Sequence, residues 1–127
     1  MPVVEFPYVL HKGIMMSIIP VTLLNSRVWM FVDSGATFSI ISAAEASGLG
    51  IDWDKGRQQM IVVGDGSFIP TYIHNFQIQI GEWQINAPIG ISERLGVGFN
   101  LLGRKGIFEQ FQVCFNDRTP KVTFQKI

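Results

Sequence analysis

One cysteine, Cys114, in 127 residues excludes an internal disulfide and any zinc cluster built on several thiolates. It stands in an alternating strand pattern, where a free cysteine is expected to be a small buried hydrophobe rather than a reactive thiol. Charge is scarce as well. Ten basic and ten acidic side chains give a formal net charge of zero, with no Lys/Arg run. That leaves no basic stripe with which to hold a nucleic acid or a membrane surface. The longest apolar stretch, Ile14 to Leu24, is interrupted by Ser17, Pro20 and Thr22 and is about half the length a bilayer span requires. The start, Met1-Pro2-Val3, lacks the basic opening of a signal peptide. These absences describe a soluble domain, cytoplasmic in preference to secreted, with a fragment of a membrane-tethered protein as the alternative. His11 and His74 stand far apart without acidic or cysteine partners at ligand spacing, so they read as core or surface histidines, and no metal or cofactor is expected. No phosphate-binding glycine motif is present, and neither Ser34 nor Ser39 sits in a nucleophile elbow.

What the chain has is apolar surface: 47% hydrophobic against 16% charged residues. Its length fits one domain over 1–127 with a sizeable core. So apolar a composition implies either a large core or an oligomer that hides part of the surface. Most segments read as strands. Ile14 to Leu24 and Val28 to Val32 flank a turn expected at Asn25-Ser26. Ser42 and Glu45 form a capping box for a short alanine-rich helix that Gly48 should stop. Gln58 to Ile80 is again strand, broken at Gly64-Asp65-Gly66-Ser67, which reads as a hairpin tip. Pro70 assigns that arm to an edge or a bulge. Phe76 to Ile80 alternates strictly, Gly81-Glu82 turns, and Trp83 to Ile89 continues. Ile107, Phe108 and Phe111 lie at helical spacing and predict a second short helix over Arg104 to Phe111. Gln112 to Phe115 and Lys121 to Ile127 form a closing hairpin around Asn116–Pro120. Trp29, Trp53 and Trp83 read as core or rim residues, and Asp52 and Asp54 as solvated charges on a loop. The expected architecture is mostly β and barrel-like, with one or two short helices.

The segment Phe31-Val32-Asp33-Ser34-Gly35-Ala36-Thr37 places a carboxylate on a tight glycine turn after an apolar strand. An acid so placed is held by hydrogen bonds or shifts its pKa. This segment, the Met60–Ile69 hairpin and Leu101-Leu102-Gly103 occur in the order and spacing of the catalytic loop, flap and hydrophobic-hydrophobic-Gly element of retropepsin-like aspartic proteases. Over residues 14 to 125 the chain resembles that family, and the resemblance implies a closed β-barrel of the acid protease fold with a flap hairpin. It also implies an aspartic-type endopeptidase with Asp33 catalytic, the loop supported by Ser34, Gly35 and Ala36. The flap and substrate-binding residues would be Val63, Gly64, Asp65, Gly66, Ser67, Phe68 and Ile69.

Aspartic proteases work through two carboxylates sharing one proton, one acting as base on water while the other protonates the carbonyl. This chain carries one Asp-Ser-Gly and no second copy. A working pair therefore requires a homodimer, each subunit giving one Asp33, with an extended peptide or protein as substrate. By the resemblance, the Ser34 hydroxyl bonds across the dimer. Gly35 answers a need for positive φ or for close approach to its symmetry mate. Ala36 offers no side-chain donor to Asp33, which predicts a pair titrating less acidically than pepsin's. Gly64 and Gly66 supply a closing lid with freedom, but paired Asp65 tips would repel; a plain hairpin turn is the alternative. Val32, Phe68, Ile69 and Leu95 are candidate subsite residues. In retroviral relatives the termini interleave in a shared sheet; Lys121–Ile127 suits that arrangement or its own hairpin equally. Two other readings stand beside the protease: a catalytically weak dimerisation or peptide-binding module of the same fold, and a β-barrel for a small apolar ligand.

Overall fold

The computed structural model describes residues 2–62, 66–95 and 98–127. The flap-tip residues Val63, Gly64 and Asp65 lie outside the described residues. Strands β1 (Val3–Pro7), β2 (Val9–His11) and β3 (Ile14–Met16) open the chain. They are followed by β4 (Ile18–Leu23), β5 (Ser26–Val32), β6 (Ser39–Ser42) and helix α1 (Ala43–Gly48). After a 3-10 turn at Trp53–Lys55 come β7 (Arg57–Val62), β8 (Phe68–Ile80) and β9 (Trp83–Ser92). Strands β10 (Asn100–Leu102), β11 (Phe111–Asn116) and β12 (Lys121–Lys126) complete the order.

Hairpin β4–β5 shows how local chemistry sets register. Leu24 and Asn25 both adopt positive φ, 51° and 63°, the twist that joins antiparallel strands through two residues. The turn thus falls one residue earlier than Asn25-Ser26, and Leu23 faces Ser26. With that register Ile19, Val21 and Leu23 point inward together with Val28, Met30 and Val32, as a period of two requires. The long apolar stretch is divided at Ser17, whose carbonyl accepts the Val32 amide at 2.9 Å.

The strands from β4 to β10 form one sheet in the order β4-β5-β10-β6-β9-β8-β7, and a further β4–β8 pairing closes six of them into a ring. This ring is the expected closed barrel. Strand β10 runs parallel to β5 and β6 parallel to β9, while the hairpins are antiparallel. Pro70 pairs with Met60 of β7, and the β8–β9 ladder begins two residues later at Tyr72, so its missing N–H falls where β8 has edge character. Inside the ring Ile41, Ile80, Ile89, Ile91 and Leu102 are sealed from solvent. Each such side chain contributes about 1.5–3 kcal/mol on burial.

Strands β1, β12 and β11 form a separate sheet in that order. It packs on the ring through Phe111, Val122 and Phe124, all within the main core. Phe111 and Phe124 meet edge-on at 5.5 Å. Both edges of β12 are therefore used by its own chain, so the closing hairpin forms with β1 added to it.

Two expectations are corrected and a third is refined. No helix forms over Arg104–Phe111: the segment is a series of turns and Phe111 already starts β11. Gly106, at φ 76°, interrupts the right-handed path, and a Cβ there would lie 2.8 Å from Pro88 Cδ. Cys114 is exposed, because Phe111 and Val113, on the other face of the alternating strand, take the inward positions. Helix α1 ends at Gly48 as expected, but the left-handed residue after it is Gly50, φ 78°.

Candidate active site

Asp33 follows the last residue of β5, and Gly103 follows the last residue of β10, its parallel neighbour. The Asp33 amide donates to Leu102 O at 3.0 Å, while Arg104 N and Lys105 N donate to Ala36 O and Thr37 O at 2.9 and 2.7 Å. The Gly103 amide donates to the Oγ of fully buried Ser39 at 2.9 Å. The Leu101-Leu102-Gly103 element thus grips both ends of the Asp33–Thr37 loop. Gly103 is required by close approach: a Cβ there would stand 2.4 Å from Phe38 O and 2.8 Å from Ala36 O.

Within the loop, the Gly35 amide donates to Asp33 Oδ1 at 2.9 Å. This charge-assisted bond orients the carboxylate. Gly35 is not among the glycines with positive φ, which corrects that half of the expectation. The crowding is with its own neighbour, since a Cβ on Gly35 would lie 3.3 Å from Asp33 Oδ1. Asp33 is half-buried; Ser34 and Gly35 are exposed and Ala36 half-buried.

Asp33 and Ser34 open onto a groove of about 390 Å³ shared with Tyr8, Ile14, Met15 and Phe115. Asp117 also lines it and accepts from the Tyr8 hydroxyl at 2.8 Å. Burial, followed by the hydrogen bond and the charge of Asp117, pushes Tyr8 up to about 12.

Strands β7 and β8 form the hairpin expected to be the flap, with Ile61 opposite Ile69 and Val62 opposite Phe68. Ile69 is buried, whereas Phe68, at 61%, Val62 and Met60 face solvent; Gly66 and Ser67 are exposed. Of the candidate subsite residues, Val32 lies in the main core, and Leu95 packs half-buried against Ile40, Ile61 and Ile73. The structure brings Asp33, Ser34 and Val32 to one groove and leaves Phe68 on the flap arm.

The remaining candidates have structural surroundings. His74 Nε2 is 2.8 Å from Trp53 O and its ring stacks on Phe76. His11 meets the ring of Phe99 edge-on at 5.5 Å. Trp29 is an exposed rim residue, and Trp53 and Trp83 pack half-buried on the core. Asp52 and Asp54 are exposed beside the 3-10 turn.

Sequence reasoning missed Asn100. Its Nδ2 donates to Trp29 O and Glu45 Oε1 at 3.2 and 3.1 Å, and its Oδ1 accepts the Ser42 amide at 3.1 Å. Ser42 Oγ caps α1 through the Glu45 amide as expected. The return half of the capping box is supplied by Asn100, 58 residues away in sequence, a partner no local pattern reveals.

Comparison with known proteins identifies the family to which this fold and loop belong. A family profile described as aspartyl protease matches residues 19–105, and the chain belongs to that family. Among solved structures it is similar to a retropepsin-like aspartic protease from Rickettsia conorii, at 17% identity and a TM-score of 0.72, covering 97% of this chain and 91% of that one. It is also similar to EIAV protease complexed with the inhibitor HBY-793, at 18% identity and a TM-score of 0.57, covering 76% and 88% of the two chains. The fold is thus retropepsin-like. No curated protein matches the chain in sequence. No helix among the described residues is long and apolar enough to cross a membrane.

Proposed function

We propose that the chain, as one retropepsin-like domain over 1–127, is a homodimeric aspartic endopeptidase. Water is activated between two Asp33 carboxylates, one from each subunit. The observation that carries this reading is the Asp33 loop itself: an oriented carboxylate, gripped by Leu102–Lys105 at the edge of an open groove, present once in the chain. Two such groups at short range share one proton. The ionised partner removes a proton from water as it attacks the carbonyl carbon, and the protonated partner delivers its proton to the carbonyl oxygen.

Ser34 and Gly35 support the loop across the two-fold axis, with Ala36 at its inner end. An extended peptide lies under the flap, bonded to strand backbones. Val63 to Ile69 supply the lid, with Phe68 as its exposed apolar contact. No cofactor or metal enters this mechanism.

The test is cleavage of a diverse peptide mixture at mildly acidic pH, with Asp33→Asn and a pepstatin-type transition-state analogue alongside. Loss of general acid–base catalysis is expected to lower the rate by about 10²–10⁴-fold or more, with the thermal midpoint unchanged. Cleavage that survives the substitution overturns the assignment.

A further inference from the structure

The β2–β3 hairpin stands apart from both sheets. It forms a two-stranded sheet of its own, with Val9 opposite Met16, Leu10 opposite Met15 and His11 opposite Ile14. An isolated hairpin of this size is marginal in water. This one nevertheless leaves Leu10 69%, Ile14 64% and Met15 49% exposed. Leu10 and Met15 are a directly opposed pair, so their side chains share one face. Ile14 and Met15 also line the groove that holds Asp33 and Ser34, and Phe115, 42% exposed, stands there with them.

We infer that this hairpin is the seat of the second copy: the two subunits meet through the Leu10, Ile14, Met15 and Phe115 surface beside Asp33, not by exchanging C-terminal strands. The inference rests on the homodimeric reading above. Three observations select a second copy as the occupant. The apolar surface adjoins the carboxylate that needs a symmetry mate. Strand β12 is paired with β11 on one side and β1 on the other, so its backbone groups are already satisfied and it has no edge left for a partner's terminus. A standard interface removes about 800 Å² from each partner. Leu10 and Met15 on one face of the hairpin, with Ile14 and Phe115 beside the groove, supply on the order of half of that, a patch of the size that on a protein surface is often functional.

The test is sedimentation velocity at low micromolar concentration on the parent, on the double variant Leu10→Asp/Met15→Asp, and on Leu24→Asp as a charge control at the distant β4–β5 turn. The parent and Leu24→Asp are expected to be dimers that cleave peptide, and the double variant a folded monomer by circular dichroism that does not. A dimeric double variant overturns the inference and leaves the two-chain active site standing. A parent that cleaves as a monomer overturns the two-chain active site and the inference with it. Should the double variant fail to fold, hydrogen exchange on the parent decides. Amides of residues 9–16 are expected to exchange more slowly above the dimer dissociation constant than below it, and exchange independent of concentration overturns the inference.

Discussion

Two segments border the same groove and are held in opposite ways. The Asp33–Thr37 loop is tied to the turn after β10 through bonds to Leu102, Arg104 and Lys105, with Ser39 beneath it. Among the described residues the β2–β3 hairpin pairs only with itself, and it turns large apolar side chains outward. The loop is complete within one chain as a structure, whereas the proposed chemistry takes a second carboxylate from another copy. The hairpin is incomplete as structure, because its exposed apolar area is unrelieved. The difference separates what one chain completes from what the proposed dimer would complete.

The strongest way to break the contrast is to crowd the loop. Gly103→Ala would push a methyl against the backbone carbonyls of Phe38 and Ala36. A loss of about 1–3 kcal/mol or more is expected, read by denaturant unfolding, together with loss of peptide cleavage. A thermal midpoint equal to the parent's would show that the grip on the loop is looser than the distances imply.

Ser39→Ala removes one buried acceptor and leaves the Gly103 amide unsatisfied, at a cost of about 1–3 kcal/mol. Cleavage should fall further than stability does, because the substitution loosens the support beneath Asp33. Equal wild-type activity and stability would remove Ser39 from the account.

The smallest effect concerns Tyr8, which joins the hairpin side of the groove to Asp117. Its pKa is raised in the folded chain, so the unfolded state loses the phenol proton first as pH rises. The associated stability is fully present below about 10 and declines as pH rises toward about 12. Tyr8→Phe should flatten that decline between about pH 10 and 12. An alkaline limb of the same steepness in both proteins would count against the Tyr8–Asp117 bond.

Much of this molecule was legible in sequence because its signals are local. Period-two alternation marked the inward face of Phe76–Ile80, and Ser42 with Glu45 marked the start of α1. The acid on its glycine turn, the hairpin after it and Leu101-Leu102-Gly103 carried the family resemblance through order and spacing alone. Where local patterns misled, a nonlocal term was decisive. Ile107, Phe108 and Phe111 have helical spacing, yet Gly106 turns the chain against Pro88 and Phe111 is spent on the core beneath β12. Cys114 looked like a core position until the face occupied by Val113 and Phe111 was known.

By itself the sequence determined most of the strand pattern, the start of α1 and the single Asp33 loop on which the two-chain proposal rests, because periodicity, caps and motif spacing act between near neighbours. Only the tertiary structure decided which groups hold the carboxylate and the helix cap: the Gly35 amide at Asp33, Ser39 under Gly103, and Asn100 at Ser42. It alone also showed β12 enclosed by its own chain and the β2–β3 hairpin left uncovered. Those outcomes depend on which distant backbone groups and side chains meet once the ring has closed, and nothing in the local order of residues specifies such meetings.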